Sequence, residues 1–161
     1  MNVYIKMQAD ILKSADPGFK PILATKLGQL GSDFWVLFDS FAYCIPRDMF
    51  LLSPIGFGEF TPEAVRKTFD KAHGMDDKVR LAYTGVTKSF DRFSLSEFDG
   101  PNGASVYFNS KLLKKFPLNC VVALRECDLD LGAKHYIGFV LDAATGLCYG
   151  AIAEFKIRDG K

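Results

Sequence analysis

Apolar positions recur along this chain with two periods, one close to two residues and one close to 3.6. In the C-terminal third, Leu147, Tyr149, Ala151, Ala153, Phe155 and Ile157 fall on one face of a period-two run, opposite Cys148, Gly150, Ile152, Glu154 and Lys156. That spacing predicts a strand whose far end emerges into solvent. Cys120 to Glu126 and Tyr136 to Leu141 predict two more strands. Asp142-Ala143-Ala144-Thr145-Gly146 has the length of a hairpin loop built on a type I turn, with Gly146 supplying a positive φ.

The helical period is clearest over 61–73. Val65, Thr68, Phe69 and Ala72 follow i, i+3, i+4, i+7, and Glu63, Arg66, Lys67, Asp70 and Lys71 take the remaining surface. Thr61 is a good N-cap, because its side-chain oxygen can accept an N–H of the first turn. Pro62 suits the first helical position, where its missing N–H costs nothing. Gly74 sits where a left-handed residue closes a helix, and His73 falls in the expected last turn, where a cation complements the helix dipole.

Shorter segments complete the pattern. Residues 2–7 place Val3, Ile5 and Met7 on one face of a strand, residues 78–84 do the same with Val79, Leu81 and Tyr83, and residues 92–97 with Phe93 and Leu95. Ser105 to Phe108 can extend, and Asn109 can cap a helix that ends before Pro117. Residues 21–30 read as a helix opened by Pro21 with Leu23, Leu27 and Leu30 on one side, weakened by about 1 kcal/mol at Gly28.

Residues 34–60 are the most apolar stretch. They hold the single tryptophan, Trp35, and six of the 15 phenylalanines, but only four charges: Asp39, Arg47, Asp48 and Glu59. Over 34–45 the apolar residues fit both a strand buried on two faces and a helix with the stripe Phe34, Leu37, Phe38, Phe41 and Ile45. The aromatic content favours the strand, turned at Pro46-Arg47-Asp48 into a second strand at 49–53. A spanning helix needs about 20 mostly apolar residues, and Asp39 and Pro46-Arg47-Asp48 interrupt this run. The expectation is an α+β fold: one domain over 1–161, a mainly antiparallel sheet of about five to seven strands, and two or three packed helices.

A chain of 161 residues can bury about 70% of its unfolded surface without disulfide or metal. Its charge of +1, from 20 basic and 19 acidic residues, offers no broad basic field for nucleic acid. Asp91, Glu97 and Asp99 beside Phe93 and Phe98 also oppose base stacking there. The N-terminal segment MNVYIKMQADILK lacks the pattern of a secretory signal, and the tail carries no lipidation box, so a cytoplasmic protein with no membrane partner is expected. The four cysteines form no CxxC pair and three sit in apolar runs, which reads as core. Cys120, Cys127 and His135 match no standard zinc spacing, and Glu126, Asp128 and Asp130 lack a calcium-loop pattern. No metal or cofactor is expected.

Chemistry is sparse. The two histidines, His73 and His135, stand without a GxSxG or other nucleophile motif. Gly56-Phe57-Gly58 precedes a helix but completes neither GxGxxG nor a P-loop. The leading expectation is therefore a non-enzymatic binding protein that acts through a protein partner or self-association. Its contact residues would be Ile55, Phe57 and Phe60 in one loop and Phe90, Phe93 and Phe98 in another, since exposed rings mark interfaces. The alternative is a small-molecule site, or a small hydrolytic enzyme, in a pocket walled by Trp35, Phe57 and Tyr149 with His135 or Asp128 as its polar group.

Overall fold

A computed structural model describes residues 2–14, 25–54, 57–128 and 134–156; for residues 14, 102, 127, 128, 134 and 135 it describes the backbone alone. The chain forms two compact units, Met1–Ala72 and His73–Lys161.

The first unit begins with a helix, α1 (Val3–Ser14). The predicted strand at 2–7 is therefore replaced by a helix. The six-residue window satisfies both periods, and the longer stripe of Met7, Gln8 and Ile11, all buried, decides for the helix while Ile5 lies exposed. Asn2 starts it, accepting the Tyr4 N–H on Oδ1 at 2.8 Å.

Three antiparallel strands follow: β1 (Lys26–Leu30), β2 (Asp33–Leu37) and β3 (Phe41–Pro46). Residues 26–30 are thus strand, against the expected helix; the other part of that expectation, 21–24, lies outside the described residues. The physical reason is Gly28. It pairs with Trp35, and a Cβ there would collide with Val65 Cγ2 and lie 2.9 Å from the Phe60 carbonyl oxygen. The bare backbone lets a second helix, α2 (Pro62–Phe69), approach the strand. Trp35 is 1% exposed and stacks on Phe69 of α2 with ring centroids 3.9 Å apart.

The other face of the meander carries Val36 and Tyr43, which pair across β2 and β3. Here the Tyr43 hydroxyl donates to Asp10 Oδ2 of α1 at 2.6 Å. With α1 on one face and α2 on the other, β2 and β3 are covered on both sides, but the single strand expected over 34–45 is instead two paired strands joined at the exposed Asp39 and Ser40, where two polar residues turn the chain.

Residues 49–53 are not the second strand expected after Pro46. Arg47–Met49 make a 3-10 turn, and Gln8 satisfies the backbone beyond it. Its Nε2 donates to the Met49 carbonyl at 2.9 Å, and its Oε1 accepts the Leu51 N–H at 2.6 Å. A short strand, β4 (Gly58–Glu59), pairs parallel with β1, giving the order β4-β1-β2-β3 in this unit. Thr61 caps α2 as predicted, its Oγ1 accepting the Ala64 N–H at 3.3 Å. The helix closes earlier than expected: Asp70 is the C-cap and Lys71 is left-handed at φ +55°, while Gly74, also left-handed at φ +81°, lies beyond the helix.

The second unit holds two sheets. In one, β5 (Val79–Arg80), β9 (Cys120–Asp128), β10 (Lys134–Asp142) and β11 (Cys148–Ala153) run in the order β11-β10-β9-β5. In the other, β6 (Ala82–Phe90), β7 (Phe93–Asp99) and β8 (Ser105–Asn109) run in the order β6-β7-β8. The predicted strand at 78–84 is split at Leu81, whose N–H donates to the Val122 carbonyl at 2.9 Å while the chain passes between the sheets. A one-turn helix, α3 (Ser110–Leu113), follows β8, with Asn109 accepting the Lys111 N–H at 3.0 Å as its cap. The hairpin at 142–146 forms as predicted: Asp142 Oδ1 accepts the Ala144 and Thr145 N–H groups, each at 2.9 Å, and Gly146 has φ +76°.

The α+β class is therefore observed, with three helices and eleven strands among the described residues, more strands than the five to seven expected. Within the two units only the short β1–β4 pairing is parallel. No helix among the described residues is long and apolar enough to cross a membrane.

Candidate functional site

In the second unit, Phe108 of β8 is fully buried and fastens the three-stranded sheet to β10. A Cβ on Gly138 would lie 2.7 Å from Phe108 Cζ and 2.9 Å from Val122 Cγ1, so the ring occupies the space a side chain would take. Phe98 meets Phe108 edge-on at 5.6 Å, and Tyr83 leans on Phe98 at 5.4 Å. Beyond Phe98 the two sheets separate.

The separation leaves an open cleft of about 760 Å³, within the roughly 300–1,000 Å³ of small-molecule sites. One wall is the face of β6 and β7 that carries Tyr83, Thr87, Ser94, Ser96 and Phe98. The opposite wall comes from Val121 and Val122 of β9 with Val140 of β10. The segment from α3 through Phe116, Pro117 and Leu118 closes one side, and Arg80 and Leu81 contribute from the junction of β5 and β6.

Its polar groups are few. The Ser96 and Ser110 hydroxyl oxygens lie 2.7 Å apart in a hydrogen bond, and Ser96 is buried. Cys120 is a half-buried free thiol on the wall, pushed up to about 11 by burial and by the charge of Asp142. At neutral pH it is a thiol, not the thiolate that would act as a nucleophile. Arg80 and Lys114 are the cations of the lining, and among the described residues no carboxylate or histidine joins them.

The residues proposed from sequence are distributed differently. Phe98 lines the cleft. Phe90 and Phe93 face each other across the turn that ends β6, and both pack against Phe155, at 5.8 and 5.1 Å. In the first unit, Phe60 is half-buried edge-on to Phe69 at 5.8 Å, Phe57 is half-buried, and Ile55 lies outside the described residues. Trp35 belongs to the core of that unit. Tyr149 is in the second unit, its phenol raised by burial and by Asp142. His135 pairs with Cys127, and Asp128 with Lys134, in the β9–β10 ladder; their side chains lie outside the described portion.

His73 lies beyond the end of α2, so it does not serve the helix dipole as expected. Its Nδ1 instead accepts the Cys148 N–H at 2.9 Å. Lys78 was not singled out by its sequence context. Its ammonium is buried, donates to the Gly74 carbonyl at 3.0 Å, and lies 5.1 Å above the Phe139 ring, with Arg125 4.5 Å from the same ring. Burial lowers its pKa and the neighbouring Asp77 opposes that shift. It anchors the loop after His73 and lies outside the cleft.

Sequence reasoning missed Ser96, Ser110, Arg80 and Lys114. The one available signal was Ser94-Leu95-Ser96, whose alternation reads as a solvent-facing polar edge; Ser94 is indeed exposed, but Ser96 is buried and bonded to Ser110. Compared with protein-family models, with curated proteins and with solved structures, the chain matches none.

Proposed function

We propose that this protein binds a small, mainly apolar molecule in the cleft of its second unit and does so without chemical turnover. The observation that carries this reading is a cleft of about 760 Å³ between two sheets, walled by Phe98, Leu113, Phe116 and three valines. Removing apolar surface from water drives such binding at roughly 25 cal/mol per Å². The Cys120 thiol and the absence of a general base among the described lining residues speak for binding over catalysis.

The test uses the neutral dye N-phenyl-1-naphthylamine, whose fluorescence rises in apolar surroundings. The native protein is expected to bind one dye per chain. Thr87→Trp, placed directly across from Ser96, is expected to weaken binding at least about tenfold (about 1.4 kcal/mol) with an unchanged circular dichroism spectrum. No dye binding, or equal binding by Thr87→Trp, overturns the reading.

A second reading, contact with a protein partner or another copy, is supported by β6. Among the described residues it borders only β7 in its sheet, and Tyr83, Val86 and Phe90 along it are exposed. Such an edge can accept a strand from another chain. Sedimentation velocity over a hundredfold concentration range tests it, and a strict monomer that captures no strand peptide removes it.

A further inference from the structure

We infer that the occupant of the cleft is an anionic amphiphile, a single apolar chain ending in a carboxylate; this rests on the small-molecule reading above. The charged side chains of the lining are Arg80 and Lys114, both exposed, and its neutral polar side chains are hydroxyls and one thiol. No Asp, Glu, Asn, Gln or His side chain lines it among the described residues. The cleft thus presents two positive charges and, among the described residues, no negative one.

The serine pair sharpens the point. Two hydroxyls hold two O–H donors, and the Ser96–Ser110 bond of 2.7 Å uses one of them. The other O–H is a donor whose complement is an acceptor oxygen. A carboxylate offers only acceptors and carries the charge that Arg80 and Lys114 complement. A neutral apolar molecule would fill the walls but gain nothing from Arg80 and Lys114. A cationic amphiphile would meet like charge. The rest of the chain is nearly balanced at +1, so the selectivity must come from these local groups and not from a global field.

Displacement of N-phenyl-1-naphthylamine by decanoate, 1-decanol and decylamine tests this at concentrations below those at which the competitors aggregate. Decanoate is expected to displace the dye at least about tenfold more effectively than 1-decanol, as two partly screened charge contacts would provide. Decylamine is expected to be the weakest. In the double variant Arg80→Gln/Lys114→Gln the advantage of decanoate over 1-decanol, each corrected for that variant's own dye affinity, is expected to fall below about threefold. Equal displacement by decanoate and 1-decanol, or an advantage that survives in the double variant, overturns the inference and leaves the small-molecule reading intact. Failure of the dye to bind the native protein overturns both. A concentration-dependent dimer that Leu118→Glu abolishes would assign the cleft to a second copy and also overturn the inference, because Leu118 is a fully exposed part of its lining.

Discussion

Ser96 of β7 and Ser110 of α3 join their hydroxyls at 2.7 Å, and this bond ties the inner wall of the cleft to the segment that closes its side. The pair is coupled, so the loss is felt once. Ser96→Ala is expected to cost about 1 kcal/mol in urea unfolding, the usual worth of such a bond. Adding Ser110→Ala should cost much less than a second full increment. Strict additivity of the two variants would show that the hydroxyls act independently.

Gly28→Ala is expected to destabilise the protein by about 2–3 kcal/mol, because the added methyl must displace Val65 or the Phe60 carbonyl. Val65→Ala in the same background should recover part of the loss, measured as the midpoint of denaturant unfolding. Gly31, at φ +60° with open space around it, should lose only about 1 kcal/mol with alanine, from backbone strain alone. If the order of the two glycines is reversed, packing of α2 on β1 is not what fixes Gly28.

Gln8 joins α1 to the chain after β3 through Met49 and Leu51. Gln8→Ala is expected to cost about 1–2 kcal/mol and to speed hydrogen exchange at the Leu51 amide specifically. Unchanged exchange at Leu51 would mean that its N–H finds another acceptor.

Cys120 provides a pH test. Its thiol is raised to about 11, against about 8.5 for a free cysteine. Alkylation at Cys120 near pH 8, followed by peptide mass spectrometry, is expected to be roughly a hundredfold slower than for a free thiol. The raised value also contributes stability that is fully present below about pH 8.5. That contribution falls as pH rises from there through about 11, because the unfolded thiol ionises first. Cys120→Ala should flatten the stability profile over that window, and a profile identical to the native one would remove Cys120 as its source.

Much of the fold could be read directly where a few neighbouring residues satisfy one another. Thr61 and Pro62 start α2, Asn109 starts α3, and Asp142 with Gly146 closes a hairpin. Each is a bond or a backbone angle completed within four residues, so no distant partner is needed to decide it. The apolar run at 34–45 was legible as extended and covered on both sides, because aromatic residues occupied both of its faces, but its break into β2 and β3 at Asp39-Ser40 was not.

Other choices were made only by packing. Residues 3–7 fit strand and helix equally, and the matter was settled by which side chains Tyr43 and Met49 could meet on α1. Residues 26–30 carry a helical leucine stripe, yet the missing Cβ of Gly28 makes room for α2 only if the segment is a strand. The cleft was the least legible feature. Ser96 and Ser110 are 14 positions apart, Lys114 follows Ser110 at the end of α3, and Arg80 and Cys120 come from two further segments. The sequence alone determined the local caps, turns and strand periods, which depend on bonds between near neighbours. The tertiary structure alone decided which short apolar runs became helix and which polar groups converged, because burial and convergence depend on what lies across the fold.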